Sequence, residues 1–134
     1  MSDDFLPSLF RRPRVKPGRY VGVTTAVEKR SYRGARDYLM VSFDLFESAE
    51  ALGNGEQVAH DVPAFFNIVK AGSLSKYGRL LALVFPDGGA PGRFSDLIGK
   101  ALEVEVVTVE IDGSQAALPE ASHYSRVSEV LGRV

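Results

Sequence analysis

The sequence predicts one mainly β domain that contains a single helix. Apolar and polar residues alternate with a period of two in most of the chain, which is typical of strands that bury one face. One segment alone, between the third and fourth predicted strands, has the spacing of an amphipathic helix. With 134 residues, the chain is long enough to bury a core as one domain.

The chain is expected to begin with a flexible arm. Residues 1–15 have no clear period and contain Pro7 and Pro13. Lys16-Pro17-Gly18 is a turn signal that opens the folded part. We therefore divide the chain into an arm, residues 1–15, and a folded domain, residues 16–134.

The first two predicted strands form a hairpin. The first covers residues 19–29, and its β-branched face places Tyr20 on the side away from the core. A polar connection, residues 30–36, leads to the second strand at residues 37–47. The apolar face of this second strand consists of Leu39, Val41, Phe43 and Leu45.

The remaining elements follow after a turn at Gly53-Asn54-Gly55. The third predicted strand covers residues 57–69, and Pro63 within it marks an edge or a bulge. Helical spacing follows at residues 73–85, and Pro86 ends this segment.

The fourth and fifth predicted strands cover residues 101–111 and 124–131. In the fourth, the apolar positions change from one face to the other, which indicates a bulge or a strong coil.

This order, β-β-β-α-β-β, is that of the OB-fold. The predicted fold class is therefore all-β: a five-stranded Greek-key barrel of the OB type, with one helix between strands 3 and 4. A different small β-barrel or sandwich with one helix is the alternative.

The residues that catalysis or metal binding would need are scarce. The chain has no cysteine and only two histidines, His60 and His123, so a thiolate or His-rich zinc site cannot be assembled. His60 and Asp61 are neighbours on a strand and face opposite ways. Glu103 and Glu105 alternate with apolar residues, as on a solvated face. We expect a protein that is not an enzyme and uses no cofactor or metal.

The expected location is the cytoplasm. No apolar run approaches the ~20 residues that span a bilayer, and the first residues do not resemble a secretory signal. A chain without cysteine suits a reducing compartment.

Positive charge is concentrated at the start of the chain. Residues 1–38 carry nine Lys or Arg and four Asp or Glu, a net charge of +5, whereas the remainder carries −6. Such asymmetry can mark one basic and one acidic face. Scatter over an ordinary folded surface is the alternative.

The segment 29–38 combines cations with tyrosines. Single-stranded nucleic acid needs cations that follow phosphates and aromatic faces on which bases stack. In OB-folds the loop between the first two strands borders the ligand groove. A solvated hairpin tip is the alternative. The candidate phosphate contacts are Lys29, Arg30, Arg33 and Arg36, and the candidate stacking residues are Tyr32 and Tyr38.

A further stacking residue is expected on the third strand. Phe65 and Phe66 are adjacent, so one faces the core and the other faces outwards. The sequence leaves open which of them does so. An outward aromatic residue here would extend a stacking platform, or would instead cover part of the core or a dimer contact.

Several segments resemble small OB-fold single-stranded DNA-binding proteins of phages and mobile genetic elements. They are Lys16-Pro17-Gly18-Arg19-Tyr20, residues 34–45 (GARDYLMVSFDL) and Asp96-Leu97-Ile98-Gly99-Lys100. The resemblance implies binding of single-stranded DNA in replication or recombination. Housekeeping bacterial proteins of this class end in a Gly/Pro-rich tail with an acidic tip, and this sequence ends at Leu131-Gly132-Arg133-Val134. An accessory, element-encoded role is therefore the expected one.

Two functions from different classes follow. The first is non-catalytic binding of single-stranded DNA in replication or recombination, in contact with replication proteins such as a helicase, primase or polymerase. The sequence leaves open whether RNA is also a ligand. The second is an OB-type protein–protein adaptor, because OB barrels are not tied to one ligand. The adaptor would use the acidic remainder, or Phe5, Leu6, Leu9 and Phe10 as a docking peptide. Exposed strand edges would also permit a homo-oligomer.

Overall fold

The computed structural model describes residues 14–32, 36–68, 75–86, 93–111, 117–119 and 123–134. In these residues the chain forms five strands, two short helices and one turn of 3-10 helix. In chain order they are β1 (Gly18–Tyr32), β2 (Arg36–Phe46), α1 (Ala49–Asn54), β3 (Gln57–Asn67), α2 (Lys76–Val84), the 3-10 turn (Phe94–Leu97), β4 (Ala101–Val109) and β5 (Tyr124–Arg133). The predicted mainly β fold, with a helix between strands 3 and 4, is confirmed.

The five strands form one antiparallel sheet in the order β3-β2-β1-β4-β5. The fourth strand returns to lie beside the first, which is the Greek-key arrangement. The edge strands β3 and β5 approach each other, so the sheet curls towards an OB-like barrel. In the described residues the hydrogen-bonded ladder does not continue from β3 to β5, and the barrel is not closed by backbone pairing.

The core lies inside this curl. The predicted inward face of β2 is confirmed, because all four of its apolar side chains are fully buried. α2 contributes Tyr77 and Leu80, and so covers one part of the core. Further large buried side chains come from β3, β4, β5 and the 3-10 turn: Val62, Phe66, Leu97, Leu102, Val104, Val106, Val127 and Val130.

Strand β1 faces the core differently from the prediction. Gly22 and Thr24 are buried, and a Cβ added to Gly22 would lie 2.8 Å from Cδ2 of Phe43. Tyr20 also packs against the core, not on the opposite side. The predicted orientation was therefore wrong for residues 20–24.

A β-bulge at Thr25 explains part of this difference. Thr24 pairs with Phe43 and Ala26 pairs with Ser42, so Thr25 is an extra residue in β1. Beyond the bulge, Val27 is on the core side, opposite Val41. The inward positions are thus even-numbered before Thr25 and odd-numbered after it.

Other boundaries also moved. The predicted connection over residues 30–36 is shorter, because β1 continues to Tyr32 and β2 begins at Arg36. The predicted turn near Gly53 is the end of α1, which is capped by Gly55 with φ 73°. The irregularity expected in β4 lies in its partner β5, where Ser128 and Leu131 are the extra residues of two bulges.

A buried hydroxyl anchors the connection between α2 and β4. Thr24 Oγ1 donates to the carbonyl of Leu97 (2.6 Å) and accepts from the amide of Lys100 (2.8 Å). The 3-10 turn is thereby held against β1. None of the helices in the described part of the chain has the length and apolar character needed to cross a bilayer.

Candidate nucleic-acid interface

The outer face of β1, β2 and β3 carries most of the described candidate residues. Arg30 is the cross-strand partner of Tyr38, and Met40 is the partner of Phe65. Directly paired residues project from the same side of a sheet, and this side is opposite to the buried face of β2. We call these four residues, Arg30, Tyr38, Met40 and Phe65, the outer patch.

The centre of the outer patch is an aromatic pair. The rings of Tyr38 and Phe65 have centroids 6.0 Å apart and an interplanar angle of 62°, which is an edge-to-face contact. Both side chains are half-buried. Each residue therefore remains partly accessible to solvent, while the contact with the other ring restrains its orientation.

The neighbouring Phe66 points into the core. It is fully buried, and its ring packs against Tyr77 with centroids 6.3 Å apart. The ammonium of Lys76 lies 4.9 Å from the centre of the same ring. Phe66 is thus a core residue and leaves the candidate site, and Phe65 is the outward-facing member of the adjacent pair.

The cation of the outer patch is held by a carboxylate. Arg30 Nε lies 2.9 Å from Oε1 of Glu28, and a terminal nitrogen lies 3.2 Å from Oε2. This two-point hydrogen bond lowers the pKa of Glu28 and raises the pKa of Arg30, and Tyr38 also raises the latter. Both side chains are about half exposed, so an incoming phosphate can compete for the guanidinium.

Lys29 lies on the other side of the hairpin. Its cross-strand partner is the core residue Leu39, and its ammonium pairs with the carboxylate of Asp37 at 3.5 Å. A hydrogen bond from Ser31 lowers the pKa of Asp37, and the charge of Lys29 lowers it further. The structure therefore separates Lys29 from Arg30, which the sequence had grouped together.

Three candidate residues cannot be assigned to a face in this way. Tyr32 and Arg36 form the last backbone pair of the hairpin, but the described part of the structure does not include their side chains. Arg33 lies outside the described residues altogether.

Sequence analysis missed a set of basic residues where β3 approaches β5. Lys76 Nζ donates to the carbonyls of Phe65 (3.2 Å) and Val127 (3.5 Å), and so connects the two edge strands. Desolvation, followed by the charge of Arg126, lowers the pKa of Lys76 to about 8. The sequence contains no local signal for this site, because its members are far apart along the chain and meet only when the sheet curls.

The remaining acidic and histidine residues show no metal-binding arrangement in the described residues. His60 is exposed, and its Nδ1 is 3.9 Å from the carboxylate of Asp44. Glu103 and Glu105 are exposed along β4, as expected for a solvated face.

Comparison with known proteins assigns this chain to no family. Neither a scan against protein-family models nor a search of curated proteins finds a match to this chain. OB-type barrels serve many functions, and the function lies in the side chains that a barrel carries. The outer patch and the basic residues near Lys76 are thus the features that bear on function.

Proposed function

We propose that this protein binds single-stranded DNA across the outer patch. Bases would stack on Tyr38 and Phe65, and Arg30 would hold a phosphate. The observation that supports the proposal is the partly exposed aromatic pair beside a guanidinium on the strand 2–3 face, which in OB-folds binds oligonucleotides. Stacking and phosphate contacts accept any base, so the binding would depend little on sequence.

The expected affinity is modest and sensitive to salt. The chain has a net charge of −1, and both described hairpin cations are engaged by carboxylates. A phosphate must displace Glu28 before it gains Arg30. Salt weakens phosphate contacts because binding releases counterions from the nucleic acid.

The biological setting is part of the same proposal. A protein of this kind would cover single strands during replication or recombination in the cytoplasm, near a helicase, primase or polymerase. It would act without chemistry of its own. RNA is the competing ligand, because stacking and phosphate contacts serve both nucleic acids.

Fluorescence anisotropy with a labelled oligothymidine tests the proposal. We expect saturable binding at low salt that weakens as salt is added, and weaker binding to a duplex of equal length. An oligouridine of the same length measures the preference for DNA. No binding to any of the three at low salt would exclude the proposed function.

An adaptor function is the second candidate, and a different surface favours it. Phe94 and Ile98 are 37% and 43% exposed in the segment before β4, and Glu103 and Glu105 make the outer face of that strand acidic. A basic replication protein fits such a surface. Capture of a purified helicase or polymerase that persists after nuclease treatment and in Arg30→Glu, but fails in Phe94→Ser, would favour the adaptor.

A further inference from the structure

A second group of charges lies where β3 approaches β5. It consists of Lys76 and Arg79 from α2, and Arg126 and Glu129 from β5, and we call it the seam cluster. A terminal nitrogen of Arg79 lies 3.1 Å from the carboxylate of Glu129. Lys76 donates to backbone carbonyls of both edge strands. Among the described residues, Glu129 is the single carboxylate that interacts with these three cations.

Arg126 has the fewest hydrogen-bond partners of the three cations among the described residues. Its neighbours Ser125 and Val127 are fully buried, so the Arg126 side chain leaves β5 on the outer side. Its Nε is shielded from solvent and has no hydrogen-bond partner among the described residues. Buried donors without an acceptor are uncommon in folded proteins and are costly.

The electrostatics of the cluster favour an anion. Glu129 forms an ion pair with Arg79. The positive charge of Arg126 disfavours the protonated form of Lys76. A negatively charged group beside Lys76 and Arg126 would offset the repulsion between the two cations.

The seam cluster meets the outer patch at Phe65. Lys76 binds the carbonyl of Phe65, whose ring is in contact with Tyr38. Tyr38 in turn is the cross-strand partner of Arg30. From β1 to β5 the order is therefore guanidinium, two aromatic rings, then ammonium and guanidinium.

We propose that the seam cluster is a second phosphate site, with Arg126 and Lys76 as its ligands. This inference rests on the proposed function, and it specifies how the nucleic acid lies. A single strand stacked on Tyr38 and Phe65 runs across the β-strands, with one phosphate at Arg30 and a later one at Arg126.

The test is the salt dependence of oligothymidine binding to Arg126→Gln. Loss of one phosphate contact lowers the magnitude of the salt slope by roughly 0.7, the value for single strands. With equal binding of the two proteins at 1 M salt as the reference, this corresponds to roughly eightfold weaker binding at 50 mM salt and roughly threefold at 200 mM. Arg133→Gln is the matched control, because Arg133 is an exposed cation on the same strand and lies outside the seam cluster.

An independent readout is the titration of the Lys76 side chain in the wild-type protein, followed by NMR. Bound oligothymidine should raise the pKa of Lys76, because a phosphate favours the charged ammonium. An unchanged pKa in the saturated complex, or an Arg126→Gln slope equal to that of wild type, would overturn the second site. If the wild type binds no oligothymidine at all, the proposed function itself has failed.

Discussion

Tyr38 is the side chain that best separates stacking from charge. Its ring contacts Phe65 and lies on the same face as Arg30. Replacing it with alanine should weaken oligothymidine binding by ~1–3 kcal/mol and leave the salt slope nearly unchanged, because stacking releases few counterions.

The matched control is Tyr38→Phe, which keeps the ring and should bind almost as wild type does. An unchanged melting temperature must accompany the Tyr38→Ala result. Equal affinities for Tyr38→Ala and wild type in folded protein would move any ligand site away from the outer patch.

Glu28 is expected to weaken oligothymidine binding, whereas Tyr38 strengthens it. Its carboxylate makes two hydrogen bonds to Arg30, and phosphate needs the same donors. Glu28→Gln should therefore tighten oligothymidine binding and steepen its salt dependence, by up to roughly 0.7 in slope if Arg30 gains a full phosphate contact.

Removing a negative charge anywhere on the protein will also favour a polyanion slightly. Glu103→Gln, an exposed residue on β4, measures that general effect. If the two variants change affinity and slope equally, then Glu28 does not compete for Arg30.

Lys76 predicts a pH dependence of folding. Its folded-state pKa of about 8 lies below its ordinary value of 10.5, so the unfolded chain binds more protons between these values. The Lys76 contribution to stability therefore rises with pH between about 8 and 10.5. The charged groups that influence it are Arg126, Glu129 and Arg79.

Chemical denaturation of wild type and Lys76→Met at pH 7 and pH 9 measures this contribution. Relative to the variant, the wild type should gain about 1 kcal/mol in free energy of unfolding, after allowance for the partial exposure of the ammonium. A difference that stays constant between the two pH values would contradict the depressed pKa.

At the residue scale, the sequence indicated which residues could bind a ligand but not which face of the sheet each side chain occupies. It identified Tyr38 and the adjacent phenylalanines, but it did not distinguish Phe65 from Phe66. Nor did it separate Arg30 from Lys29, although adjacent strand residues face opposite ways. The bulge positions decide such directions, and no glycine or proline marks the bulge at Thr25.

At the scale of the elements, β1 depends on a residue without a side chain. Gly22 faces the core, and a Cβ there would be 2.8 Å from Phe43 and 3.3 Å from Val104. Both neighbours are fully buried, so they have little room to move. Gly22→Ala should lower the free energy of unfolding by ~1–3 kcal/mol through overpacking.

Gly53→Ala provides the matched control. Gly53 lies within α1, and a Cβ added there meets no atom within 4 Å. Alanine is the better helix former, so this variant should be as stable as wild type or slightly more stable. Urea denaturation of both proteins makes the comparison. Equal stability of Gly22→Ala and wild type would show that the β1 backbone shifts enough to accommodate a Cβ at this position.

The elements themselves were largely predictable, because period-two alternation and helical spacing are local properties. The inward face of β2 is an example. The inward face of β1 was not predictable. The alternation in the sequence continues without a break through Thr25, whereas the pairing of β1 with β2 shifts there by one residue. Helix α1 was missed because its six residues are too few for a periodic signal.

At the scale of the whole molecule, the strand order explains how the candidate site is assembled. Central β1 pairs with β2 and β4, and the curl of the sheet brings edge strands β3 and β5 together. The element order predicted the fold class. It could not predict that Lys76 would connect the two edges, because that contact depends on how far the sheet curls.

The open edges also bear on whether the protein polymerises. Unpaired edge strands are templates for adding a strand from another molecule, and lysines and bulges commonly prevent this. Near one end of each edge strand, Lys76 donates a hydrogen bond to one backbone carbonyl, that of Phe65 on β3 and that of Val127 on β5. Towards the other end the ladders are interrupted, at Ser128 and Leu131 in β5 and by register shifts in β3. In the described residues both edges therefore carry features that commonly oppose the addition of a strand from another molecule.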